Sequence, residues 1–158
     1  MRGKRIGSGA AMLAGALAVT GLAFAPSAAA VTPATATFTA TCGLFGGGAA
    51  TLTATQSGTS ATLTLTSSAI TAPIPISANS INSTLTMANS TGPARVFSGA
   101  VNPAMATGAP ITVGPLNGTV ASGDSLDING GSLKMIIFGI TVTCKATGPQ
   151  APGPFLYD

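Results

Sequence analysis

From residue 31 onward the chain alternates apolar and polar positions with a period of two. Thr35 to Cys42 reads TATFTATC, with Ala36, Phe38, Ala40 and Cys42 on one side and four threonines on the other. Successive side chains of a β-strand point to opposite faces, so this alternation predicts a half-buried strand. The same habit returns in TLTAT (51–55), TLTLT (62–66) and TLT (84–86). Ser57-Gly58-Thr59 predicts a tight hairpin between two of these runs. ITAPIPI (70–76) keeps the period but carries two prolines, which cannot donate ladder hydrogen bonds, and so predicts an edge strand or polyproline-like segment. ARVFSGAV predicts a strand about Val96 and Phe97, and ITVGPLNGTVA one bent strand or two short ones about Gly114-Pro115.

Toward the end of the chain, Asn129-Gly130-Gly131 predicts a hairpin turn. LKMIIFGITVTCK then predicts a single central strand, with Ile136, Phe138, Ile140, Val142 and Cys144 facing inward. The Pro/Gly-rich segment 149–158 predicts an extended, partly ordered tail. Outside the first thirty residues no helical period extends beyond a turn or two. Strand-sized segments separated by turn residues predict an all-β antiparallel β-sandwich, immunoglobulin-like or similar, over residues 31–148.

The first thirty residues have a different pattern. A basic MRGKR precedes the apolar run Ala10 to Ala25, then Pro26, Ser27 and the small residues Ala28-Ala29-Ala30. This is the three-part pattern of a secretory signal peptide, cleaved before Val31. The apolar run falls short of the roughly 20 residues that span a bilayer, so no transmembrane span is expected in the mature chain. An exported protein with two cysteines, Cys42 and Cys144, is expected to join them as a disulfide. The expected location is extracellular or associated with the cell envelope.

Removing the leader changes the charge balance. Arg95, Lys134 and Lys145 then stand against Asp124, Asp127 and Asp158, and the net charge vanishes. A neutral chain has no electrostatic footprint for nucleic acid and no polybasic patch for anionic lipid. With so few ions, solubility falls to hydroxyls and amides, and near-zero net charge favours self-association or retention at the cell wall.

Catalytic chemistry has little to work with, since the chain has no histidine and no glutamate. Ser132 and Lys134 have the spacing of a dyad, but a turn serine and a solvated lysine explain them. Asp124 and Asp127 could pair, yet GDSLDINGG favours Asx turns. With Asn129 they lack the ligand spacing and terminal Glu of a calcium loop. No catalytic residue, metal or cofactor is implied. The threonine face of Thr51, Thr53, Thr55, Thr62, Thr64 and Thr66 is a candidate binding surface for carbohydrate or ice. Its repeats start at 35, 51, 62 and 84, without the fixed interval of a solenoid.

The alanine-rich leader, the early TATCG, the mid-chain VGPLNGTV and the closing GITVTCKATGP resemble small exported proteins of an uncharacterised actinobacterial β-sandwich family. The resemblance implies one cysteine in the first strand and one in the last, and no known activity. The resulting expectation is a secreted, non-enzymatic cell-envelope or extracellular surface protein.

Overall fold

The computed structural model describes residues 30–158, and the signal-peptide reading of residues 1–29 lies outside the described residues. The elements are β1 (Thr35–Thr41), a 3-10 turn (Gly43–Phe45), β2 (Gly47–Ser57), β3 (Ser60–Thr71), β4 (Asn82–Asn89) and β5 (Arg95–Gly99). They are followed by β6 (Pro110–Thr119), β7 (Ser125–Ile137), β8 (Ile140–Ala146) and the short β9 (Phe155–Leu156).

The expected sandwich is not what these strands build. Their order is β4-β5-β6-β3-β2-β1-β8-β7-β9, and β4 also pairs with β7, which joins the sheet to itself. The fold is a closed, eight-stranded antiparallel β-barrel with β9 added beside β7. Closure removes the exposed edges that an open sheet would present. Eight strands enclose a space that side chains can fill, and Leu52, Leu63, Leu85, Met87, Phe97, Leu116 and Leu126 fill it at essentially zero exposure. The wall outside is hydroxyl-rich, because the alternation places the threonines there. The orientation is the inverse of a transmembrane barrel, whose apolar band faces outward.

Strands β1, β2 and β3 follow the predicted alternation closely, and Ser57 pairs with Ser60 across the predicted Gly58-Thr59 turn. The later chain departs from expectation in two places. Asn129-Gly130-Gly131 is a wide bulge inside β7, lying where the register steps from Thr86↔Ser132 to Ala88↔Asp127. A Cβ on Gly131 would collide with the carbonyl oxygen of Thr86, so only glycine fits that approach. The reversal comes instead at Phe138-Gly139, where both residues have positive φ (51° and 79°) and Ile137 pairs directly with Ile140. This is the geometry of a two-residue type I′ hairpin. The apolar run is therefore two strands. Leu133 and Met135 face inward on β7, Val142 and Cys144 on β8, and Ile136, Phe138 and Ile140 face solvent.

Segment 149–158 forms part of the wall. Ala151 bridges Thr37, Leu156 bridges Thr32, and Phe155 and Tyr157 are buried. β8 covers the second half of β7 on one flank and β9 covers its start. Between them the Gln150 side-chain oxygen accepts the Ile128 backbone N–H at 3.0 Å and patches the gap.

Two long connections, 72–81 and 100–109, cross one end of the barrel and pair through Ile76↔Met105. Asn102 clasps them. Its Oδ1 accepts the backbone N–H groups of Ser80 and Ile81, both at 2.9 Å, and its Nδ2 donates to the carbonyls of Ser77 and Pro103. Asn102→Ala leaves the buried Ile81 N–H and the part-buried Ser80 N–H unpaired and is expected to lower stability by about 2 kcal/mol. Equilibrium urea unfolding checks this, and a change under about 0.5 kcal/mol would contradict the clasp.

Candidate functional site: the apolar mouth of the barrel

The end crossed by these connections is open. The 3-10 turn between β1 and β2, the connection 72–81 and the β7–β8 hairpin surround a cleft of about 380 Å³. That volume lies in the lower part of the range for ligand pockets, about 300–1,000 Å³. Its floor is Ile70, Ile111 and Met135, which also roof a void of about 20 Å³ inside the barrel. Thr71 carries the single polar side chain of the lining.

The rim is apolar and exposed. Leu44 is fully exposed, and Phe45, Ile74, Phe138 and Ile140 are at least half exposed. Among the described residues, five of the eight exposed large hydrophobic side chains line this one cleft. Single exposed apolar residues are ordinary, but a contiguous group marks an interaction surface. Sequence reasoning missed this rim because it turned Phe138 and Ile140 inward and drew no strand through Leu44 and Phe45. The available signal was the change in parity between Leu133-Met135 and Val142-Cys144, with Gly139 between them.

The threonine face is regular. Thr37–Thr51–Thr66–Thr112 form a row across β1, β2, β3 and β6, with Thr35–Thr53–Thr64 beside it and Thr55–Thr62–Asn117 beyond. The Thr55 and Thr62 hydroxyls lie 2.6 Å apart and those of Thr66 and Thr112 3.4 Å, so part of the hydrogen-bonding capacity is used across strands. The candidates Thr51, Thr53, Thr55, Thr62, Thr64 and Thr66 thus sit together on the outer wall.

The other chemical candidates are dispersed or occupied. Asp124, at the end opposite the mouth, accepts from Arg95 through Nε (2.6 Å) and Nη2 (3.0 Å), from Asn89 Nδ2 and from the Ala121 N–H. Burial pushes its carboxyl upward, but these donors outweigh burial and hold it below the usual carboxylate range. Tyr157 is shifted upward, first by burial and then by the Asp124 charge. Asp127 forms the expected Asx bond to the Asn129 N–H at 2.8 Å. Ser132 pairs with Thr86, and Lys134 is exposed on the outer wall. Among the described residues no group of three His, Cys, Asp or Glu side chains could hold a metal ion. Cys42 and Cys144 are joined as a disulfide, consistent with an oxidising, extracytoplasmic compartment. No helix among the described residues is long and apolar enough to cross a membrane.

Comparison with family models, curated proteins and solved structures finds no match for this chain. What defines the molecule is the fold class itself: a small disulfide-linked β-barrel with a filled interior, a hydroxyl wall and one apolar mouth.

Proposed function

We propose that this is an exported, non-enzymatic cell-envelope or extracellular surface protein that works by binding through the apolar mouth. The observation that carries the reading is the clustering of Leu44, Phe45, Ile74, Phe138 and Ile140 around one cleft. An exposed apolar group of this kind is stable in water only at a cost, which a partner offsets by covering it. The engagement of Asp124 and Asp127 in structural hydrogen bonds favours binding over catalysis.

Fractionation of the producing cells, with size-exclusion chromatography of the recovered protein, tests this. The protein is expected with the envelope or as an assembly, and Phe138→Asp is expected to shift it toward free monomer. Recovery of both forms solely as soluble monomer would overturn the reading.

A second reading, a carbohydrate- or ice-binding module, has its own support in the aligned threonine rows. Two features weigh against it. The barrel wall curves and its strands twist, which splays the rows. Sugar platforms are usually aromatic, and the single tyrosine, Tyr157, is buried. Thermal hysteresis that disappears in Thr53→Lys would favour this reading over the first.

A further inference from the structure

We propose that the mouth docks on a lipid bilayer surface carrying negative charge, with its rim seated among the acyl chains. The inference rests on the reading that the mouth is the working surface, and three observations lead from that surface to this occupant.

The first is how the tip is built. A type I′ hairpin favours Asn-Gly, because both central residues need positive φ. Here the first position is Phe138, with φ 51° and 61% exposure. An unfavourable backbone position thus carries an aromatic ring into solvent at the outermost point of the β7–β8 hairpin. Leu44, in the turn beyond β1, projects at the same end. A folded partner with a fixed surface would bury part of such a rim, whereas a fluid apolar phase can surround every side chain on it.

The second observation is the cleft. It is apolar apart from Thr71 and lacks the convergent polar groups that orient a small polar ligand. Contact with hydrocarbon asks for nothing more specific.

The third is the separation of charge along the barrel axis. Asp124 and Asp127 lie near the start of β7, and Asp158 meets Gln56 near the end of β2, all at the end away from the mouth. Arg95 is neutralised there by Asp124. Among the described residues the two remaining cations, Lys134 and Lys145, lie on the outer wall in the mouth half, beside Thr143 and Thr41. Lys134 is four residues before Phe138. At about 3.3 Å per residue and a strand tilt near 40°, it stands about 10 Å behind the tip. A rim that sinks about 5–10 Å brings this lysine to the headgroups, where anionic lipid attracts it. The hydroxyl wall limits deeper entry, so the protein would lie on the bilayer without spanning it. A second copy is the weaker occupant, because a two-fold mouth-to-mouth pair brings the lysine-bearing halves together.

The test is flotation of the protein as recovered from its producing cells, disulfide intact, with two vesicle types. One is phosphatidylcholine alone and the other equal parts phosphatidylcholine and phosphatidylglycerol. The protein is expected to float with the mixed vesicles and more weakly with the neutral ones. Leu44→Asp with Phe138→Asn is expected to reduce the bound fraction about tenfold or more, from loss of buried apolar area. Asn suits the turn, so this variant should keep or raise its thermal stability, which separates lost binding from lost folding. Lys134→Glu with Lys145→Glu is expected to weaken binding to the mixed vesicles about tenfold and to reduce its salt dependence. Failure to float with either vesicle type, or flotation indifferent to the rim pair, would overturn the proposal. Rim-dependent self-association without flotation would overturn the lipid and keep the mouth as a binding surface; absence of both would overturn both readings.

Discussion

Reduction of the Cys42–Cys144 disulfide is expected to lower the unfolding free energy by about 4–5 kcal/mol, the chain-entropy value for a loop of about 100 residues. The two cysteines are 102 residues apart. Their location increases the expected effect. β1 and β8 share only the register pairs Ala40↔Ala146 and Thr41↔Lys145, whereas β1 and β2 share seven. The disulfide therefore fastens the barrel along a thinly hydrogen-bonded seam, which is otherwise completed by the Thr147 N–H and hydroxyl donating to the Thr39 carbonyl and by the bridges from Thr37 to Ala151 and Thr32 to Leu156. Urea unfolding with and without reductant measures the difference. A loss below about 1 kcal/mol would mean that the seam holds without its covalent link, or that the reduced, unfolded chain keeps structure of its own.

Asp124→Ala is expected to cost about 3 kcal/mol and to flatten the acid limb of the stability curve. The buried carboxylate joins three segments at the end opposite the mouth: Asn89 at the close of β4, Arg95 at the start of β5 and Ala121 after β6. The C-terminal segment is held beside them by backbone bonds alone, with the Gly123 N–H donating to the Tyr157 carbonyl and the Tyr157 N–H to the Asp124 carbonyl. Truncation strands the Arg95 charge and the other donors, and removing one member of a buried pair costs about 3–5 kcal/mol, less here because Arg95 is partly exposed. The folded carboxyl is held below its ordinary pKa. Its contribution is therefore complete above the unfolded value of about 3.9 and is lost as pH falls through the lower, folded value. Wild-type stability should decline below about pH 4, and Asp124→Asn should decline less over the same range. Parallel acid limbs would show that Asp124 titrates alike in the folded and unfolded chains.

Much of the local structure was legible because it depends on neighbours in the chain. Ala36, Phe38 and Ala40 point inward as their alternation demands, and the Asx bond of Asp127 needs only Asn129. Closure was not legible. A strand with one apolar and one hydroxyl face reads the same in a sandwich and a barrel, and only the long-range pairing of β4 with β7 separates them. The glycine signals were ambiguous for a related reason. A glycine pair serves a turn or a bulge equally well, and which one forms at Gly130-Gly131 depends on Thr86 of another strand. Phe138 misled because an aromatic at positive φ runs against the usual turn preference, and the exposed rim remained hidden behind that assignment.

The seam also sets an order of events. A chain made from its N-terminus delivers β1 early and finds β2 within a few residues. The other flank of β1 must wait for β8 and for residues 151–156. Until they arrive, β1 has one unpaired edge, and the nascent molecule is an open sheet rather than a barrel. Its final shape is thus decided late in folding, when residues 145–156 dock against the β1 side of the sheet.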